Sequence, residues 1–293
     1  VLVAGVESLV GSSLREDQRE QIFFRLADGG LGFASAAQTT EAAYLGSWAL
    51  TLKEVAACVG VNSWEGFRNK CGPLASDLLQ AEERLLQDSG RNLMSVDWVG
   101  LLGEPRGKLQ SFWSARLREH RKEQLLQRLS ADDRVDLRSF GGPGAGGFLE
   151  PPVPFEDETV KLMPDQHFLL MLRDRLRLPV CPEGAVCQHR KESGEVCGEV
   201  LDRRGNHAKK CECGGSRMAR HDALRDFTAS FHPKVTGYVA NTEQRVTAWD
   251  RVNPRTGLLE EARLDVATRD AVSGRTIYVD ANVTCAHCGY EPR

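Results

Sequence analysis

Five cysteines and His207 crowd into the 33 residues between Cys181 and Cys213, in a chain of 293 residues with nine cysteines in all. No cysteine occurs between Cys71 and Cys181. A secreted disulfide scaffold is shorter and more evenly studded. The first residues lack the charged start, apolar run and small-residue cleavage site of a secretory leader. No run of about 18 apolar residues offers a membrane span. A reducing compartment, cytosol or nucleus, is therefore expected, and there clustered Cys and His serve as metal ligands more often than as disulfides.

Cys187, Cys197, His207 and Cys211 form the preferred ligand set. Thiolate and imidazole are the donors zinc favours, and four of them close a tetrahedral structural site with no position left for water. His207 and Cys211 are separated by three residues, so one short turn or helix start can present both. Cys181 and Cys213 are substitute ligands. The alternative is a set of unrelated thiols, but the segment is too poor in apolar residues to fold around a core of its own. The expected cofactor is a structural Zn²⁺.

Upstream, the pattern is helical. Leu14 to Leu26, Thr39 to Leu52, Pro73 to Asp88 and Lys108 to Leu129 carry apolar residues at helical spacing. Gly29-Gly30-Leu31-Gly32 makes a permissive turn between the first two. Gly141 to Gly147, followed by Pro151, Pro152 and Pro154, reads as a linker or surface loop; no Lys-Ser/Thr pair follows, so it is not a P-loop. Asp165 to Leu178 is a further helix stopped by Pro179, and Arg217 to Phe231 another. Beyond Pro233 the texture becomes β-branched and alternating: Val235 to Val246, Ala262 to Thr268 and Thr276 to Thr284 are expected strands, with turns at Asn253-Pro254, Gly257 and Ser273-Gly274.

The net charge of −3 excludes a globally polybasic protein. Locally the balance inverts. Arg203, Arg204, Lys209, Lys210, Arg217, Arg220 and Arg225 are opposed between residues 203 and 225 only by Glu212 and Asp222. Such a patch is an electrostatic footprint for a phosphate backbone. A second constellation lies on the expected strands. Asp265 and Asp280 flank a hairpin and can converge on one Mg²⁺, which takes one or two carboxylates and completes its shell with water and phosphate oxygens. Glu243, on the preceding strand, is a third candidate acid. An ion there polarises a phosphodiester and generates hydroxide.

Taken in order, these segments resemble the post-polymerase region of non-LTR retrotransposon reverse transcriptase proteins. Gly29 to Gly32 with Ala42-Ala43-Tyr44-Leu45 resembles the stretch just after the polymerase palm. Ser139 to Leu149 and Phe168 to Pro179 resemble the connector that follows. Cys187, Cys197, Gly205-Asn206-His207-Ala208, Cys211, Gly214-Gly215, Arg220-His221-Asp222 and Leu224-Arg225-Asp226 resemble its CCHC zinc knuckle and trailing helix. Asp265 and Asp280 resemble the catalytic pair of the restriction-like endonuclease in site-specific members.

The resemblance implies an α+β chain in four segments. They are a helical thumb- and linker-like part (1–140), a Gly/Pro loop and connector helix (141–180), a zinc knuckle (181–216) and a partial restriction-endonuclease-like mixed sheet (217–293). The nuclease fold adds a helix and a strand beyond this hairpin, so residues up to 293 are expected to carry only part of it. The implied activity is target-site DNA nicking with Mg²⁺ or Mn²⁺ at Asp265 and Asp280. DNA is the expected partner, RNA a second one, and no membrane is implied. No Tyr-x-Asp-Asp occurs, so the polymerase centre is not in this chain. Leu264-Asp265 stands where the family has Pro-Asp, and Asn282 where the general nuclease motif has lysine; no lysine follows Lys234. The missing lysine favours a catalytically inactive zinc-dependent nucleic-acid-binding remnant as the alternative. A zinc-stapled scaffold that binds protein is the third reading.

Overall fold

A computed structural model describes residues 1–91, 93–149, 163–191, 193–213 and 216–280, with the backbone only at 216 and 217. The chain divides into two compact units, Val1–Leu178 and Pro179–Arg293. The segments 1–140 and most of 141–180 thus belong to one unit, and the cysteine-rich segment and the C-terminal sheet to the other. Part of the Gly/Pro loop, residues 150–162, lies outside the described residues.

The first unit is helical: α1 (Leu2–Val10), α2 (Glu16–Gln21), α3 (Ala36–Cys58), α4 (Trp64–Lys70), α5 (Gly72–Asp88), α6 (Trp98–Gly103), α7 (Leu109–Arg128), α8 (Ala131–Ser139) and α9 (Asp165–Arg175). On α3 the alternating three- and four-residue steps Ala42, Leu45, Ala49, Leu52 and Ala56 put one buried stripe against α5, α6 and α7. Gly46 permits the closest approach: a Cβ there would sit 2.6 Å from the Cβ of Gln110 on α7. Trp64 stacks on Trp98 with ring centroids 4.9 Å apart. Buried Glu82 accepts from the Trp98 indole at 2.7 Å and from the Val96 amide at 2.6 Å.

A second core joins α1, α2 and α9 through Val6, Val10, Leu14, Ile22, Leu172 and Leu176. Beside it, Arg175 donates to the carbonyls of Gly30 (2.9 Å), Leu26 (2.6 Å) and Phe140 (3.2 Å). Its guanidinium therefore fastens the Gly29–Gly32 turn, whose backbone closes so tightly that a Cβ on Gly30 would lie 2.1 Å from the Phe24 carbonyl oxygen. Arg177, fully buried, pairs with Asp17 at 2.8 Å and Asp133 at 3.4 Å. The expected helix Leu14 to Leu26 is shorter than its pattern, because residues 22–27 turn back to meet these arginines.

The second unit holds α10 (Asn206–Lys210), α11 (Ser216–Thr236), a three-stranded sheet of β1 (Asn241–Arg245), β4 (Arg263–Arg269) and β5 (Thr276–Val279) in the order β1-β4-β5, and a ribbon of β2 (Arg251–Val252) with β3 (Leu259–Glu260). Every described pairing is antiparallel, in contrast to the mixed sheet that the resemblance implies. The chain is α+β, as expected. The central strand β4 is the buried one, with Asp265, Val266, Ala267 and Thr268 inside, and α11 packs on β4 and β1.

Pro233 does not end α11, although proline lacks the donor a helix interior needs. The helix continues to Thr236, whose hydroxyl donates to the His232 carbonyl at 3.0 Å, while the His232 ring meets Thr268 of β4 at 3.1 Å. The strand expected from Val235 therefore begins only at Asn241. No described helix is long and apolar enough to cross a membrane.

Candidate metal centre and carboxylate pair

The cysteine-rich segment is a narrow ribbon with almost no apolar interior. Its backbone pairs Cys187 N–H with the Glu199 carbonyl (2.8 Å), Cys197 N–H with His189 (2.7 Å) and Leu201 N–H with Ala185 (2.8 Å). These bonds bring Cys187 and Cys197 together from opposite arms. A turn follows, with Gly205 at φ +68°. There the Asp202 carboxylate accepts from the His207 backbone N–H at 2.8 Å and opens α10. That short helix delivers His207, and Cys211 comes directly after it.

One ligand atom from each of Cys187, Cys197, His207 and Cys211 lies within 4.8 Å of all the others. The Cys187 and Cys211 sulfurs are 3.6 Å apart, and Cys197 Sγ is 3.5 Å from His207 Nε2. A tetrahedral zinc with ordinary bond lengths requires edges of about 3.8 Å between two sulfurs and about 3.6 Å between sulfur and nitrogen. The cluster is consistent with a structural Zn²⁺. Among the described residues it is the only group of three or more potential ligand atoms so close together.

The electrostatics agree with a cation. The Cys197 thiol is brought down to about 7, first by the Glu199 backbone N–H and then, against burial, by His207, Cys211 and Cys213. Burial pushes the Cys211 and Cys213 thiols up, the Cys197 thiolate adding to both. Cys187 is also raised, because burial and its sulfur neighbours outweigh a backbone N–H from His189. A dication relieves this crowding of thiols. Of the two substitutes, Cys213 touches Cys197 and Cys211, whereas Cys181 sits apart against Gly205. Cys58, Cys71, Cys181, Cys187, Cys197, Cys211 and Cys213 form no disulfide.

Around this centre Arg203, Lys209 and Lys210 are exposed and Arg204 is half-buried. Arg220 donates to the Lys209 carbonyl, tying α11 to α10. The Arg217 side chain lies outside the described residues. Arg225 is held by three carboxylates. It pairs with Glu243 at 2.7 Å, Asp226 at 2.9 Å and Asp222 at 3.2 Å, so its charge is spent inside the protein.

The carboxylates follow from strand register. Val266 pairs with Val279 and Ala267 with Tyr278, which makes Asp265 and Asp280 the next opposed pair, on one face of the sheet. Their carboxyls are in hydrogen-bond contact. Asp265 is buried while Asp280 is exposed. Partial loss of water, then the Asp265 charge, raises the Asp280 carboxyl above its ordinary value. Two carboxylates this close repel unless a proton or a cation separates them.

Glu243 falls opposite Asp265 on the other side, between the pairs Thr242–Val266 and Gln244–Leu264. Its backbone is left-handed, at φ +52°, and its carboxylate goes to Arg225. One of its oxygens meets Arg225 Nη1 at 2.7 Å.

Sequence reasoning did not single out one side chain that the structure places beside this pair. His221, on the same face of α11 as Arg225 one turn later, places Nε2 3.1 Å from Asp265 Oδ2 and Nδ1 3.3 Å from Asp222 Oδ1. Asp222 and then Asp265 raise its pKa above that of an ordinary imidazole. The signal was the four-residue step from His221 to Arg225, legible once the helix was known to lie on the sheet. Asn282, Cys285 and Cys288 lie outside the described residues. No protein-family model, no curated protein and no solved structure matches the chain.

Proposed function

We propose that this chain is a zinc-stapled nucleic-acid-binding protein whose C-terminal sheet carries a metal-dependent DNA-nicking centre. The observation that carries the reading is the opposition of Asp265 and Asp280 on adjacent strands, carboxyl against carboxyl, beneath a helix that begins just after the Cys/His set. The two acids fit Mg²⁺ or Mn²⁺, which need only one or two carboxylates when phosphate and water complete the shell. A divalent ion there supplies Lewis-acid polarisation of a phosphodiester and a lowered water pKa. Asp265, fixed in the central strand, and Asp280, open to solvent, hold that ion at the surface, where duplex DNA has access. Arg203, Arg204, Lys209, Lys210 and Arg220, with Arg217, supply phosphate contacts that position the strand without reading its sequence. Arg225 and Glu243 brace α11 on β1. The resemblance to the post-polymerase region of retrotransposon proteins points the same way, toward DNA as substrate with RNA as a further ligand.

The test is nicking of supercoiled plasmid in Mg²⁺ or Mn²⁺. Activity is expected to be weak, because no lysine follows Lys234, and to vanish in Asp265→Ala and Asp280→Ala. The missing lysine favours a second reading, a binding remnant without chemistry. Metal-independent DNA binding with no nicking above the alanine variants establishes that reading instead.

A further inference from the structure

Resting on the nicking centre proposed above, we propose that His221 is the positioning residue of that centre, the group that sets the Asp265 carboxylate against Asp280. Asp265 lies in β4 and Asp280 directly follows β5, so the register brings their backbones opposite one another, but a carboxylate still rotates about its own bonds. His221 reaches Asp265 from a different element. Its Nε2 lies 3.1 Å from Asp265 Oδ2, which turns that oxygen toward α11, while Asp280 meets the same carboxylate from β5.

The imidazole is itself held. Nδ1 lies 3.3 Å from Asp222 Oδ1, and that same oxygen is 3.2 Å from Arg225 Nη1, which also reaches Glu243 at 2.7 Å. Asp222, Arg225 and Glu243 thus clamp the helix to β1 one turn beyond the histidine, leaving the ring little freedom. Hydrogen bonds of this kind, from a fixed donor to a metal-binding carboxylate, orient the ligand and tune its affinity. The general nuclease motif places its additional polar group two residues past the second acid, on the strand. Here, among the described residues, His221 brings a polar group to Asp265 from the helix.

The same geometry makes the zinc centre a remote support. Arg220, next to His221, donates to the carbonyl of Lys209 on α10, between ligands His207 and Cys211. The turn of α11 that carries the histidine is therefore anchored to the Cys/His set at one end and to the sheet at the other.

The experiment uses the full chain with four variants: His221→Ala, His221→Gln, Asp280→Ala and Thr268→Val. Glutamine keeps an N–H donor near the Nε2 position. Thr268→Val removes a different contact between the same helix and strand, that with His232, and serves as the control for docking alone. Mn²⁺ binding is read by electron paramagnetic resonance, nicking by plasmid relaxation and folding by thermal melting. His221→Ala is expected to weaken Mn²⁺ binding and lower kcat by about 10- to 100-fold, as loss of an outer hydrogen bond does. KM for DNA should stay unchanged, and His221→Gln should recover most of the loss. On the wild-type chain, Mg²⁺ should shift the His221 imidazole ¹⁵N resonances with the same midpoint as nicking, a readout that needs no variant to fold.

The inference is overturned if His221→Ala changes Mn²⁺ affinity and kcat no more than Thr268→Val does. Imidazole resonances indifferent to Mg²⁺ overturn it too. A wild-type chain that neither nicks nor binds Mn²⁺ in an Asp280-dependent way overturns the nicking function first, and this inference with it.

Discussion

Removing the zinc should unfold residues 181–213 while leaving Val1–Leu178 intact. In that segment the buried side chains are Cys187 and Cys211, while Val186 and Val200 are 41% and 66% exposed. Ala185, Val196 and Leu201 are only half-buried, too little apolar surface to hold the ribbon once the ligands separate. Structural zinc contributes about 10–16 kcal/mol of apparent binding energy in small zinc domains. That rivals the roughly 5–15 kcal/mol that stabilises a whole domain, so chelation is expected to cost the segment its fold rather than loosen it.

His207→Ala removes one of four donors. An even share puts the loss at about 3 kcal/mol, or roughly a hundredfold in zinc affinity. The assay is hydrogen exchange with and without a chelator, read at the amides of Cys187, Cys197 and Leu201. These amides hold the ribbon's cross-bonds to Glu199, His189 and Ala185. Amides of α3, in the other unit, serve as the internal reference. One zinc per chain should be present in reduced protein. Protection at those three amides that survives chelation, or reduced protein free of zinc, refutes the reasoning.

Asp280→Asn should raise the melting temperature of the metal-free protein at neutral pH while abolishing Mg²⁺- or Mn²⁺-dependent nicking. The raised Asp280 pKa means that the fold disfavours its ionised form, so the gain should grow as pH rises through that pKa and disappear in acid; a lower melting temperature at pH 7 contradicts the opposed pair. Arg177→Met leaves Asp17 and Asp133 without their buried partner and should cost about 3–5 kcal/mol by calorimetry. Despite its own burial, Asp17 is held low by Arg15 and Arg177, so the difference from wild type should be full at pH 7 and shrink as the pH falls below about 4. A pH-independent difference argues against that ion pair. Replacing Arg203 and Lys210 together by alanine should flatten the salt dependence of duplex binding by up to about 1.8 in log–log slope. Arg225→Ala should leave that slope unchanged and lower the melting temperature, and the reverse result extends the DNA surface along α11 to Arg225.

The cysteine and histidine spacing pointed to the four side chains that the structure gathers within 4.8 Å, with Cys181 and Cys213 as substitutes, because donor chemistry restricts which side chains can share one ion. The long helices were legible for a similar reason. Leu74, Leu78 and Leu85 repeat at the helical period, and a local period survives any tertiary arrangement. Short elements such as α6, with six residues, carry too few positions to display a period at all.

What the linear order could not decide is which distant groups meet. Glu243 and Arg225 are both exposed charges by composition, and only the packing of α11 on β1 turns one into the partner of the other. Pro233 signals a helix end by local chemistry. The contacts of His232 and Thr236 with each other and with Thr268 carry the helix past it. Asp265 and Asp280 are fifteen positions apart and become neighbours through antiparallel register, in which one residue of slip would send the two side chains to opposite faces. His221 stands forty-four positions from Asp265 in the chain, and its place beside that carboxylate exists only because a helix tied to α10 beside the Cys/His cluster lies across the buried strand.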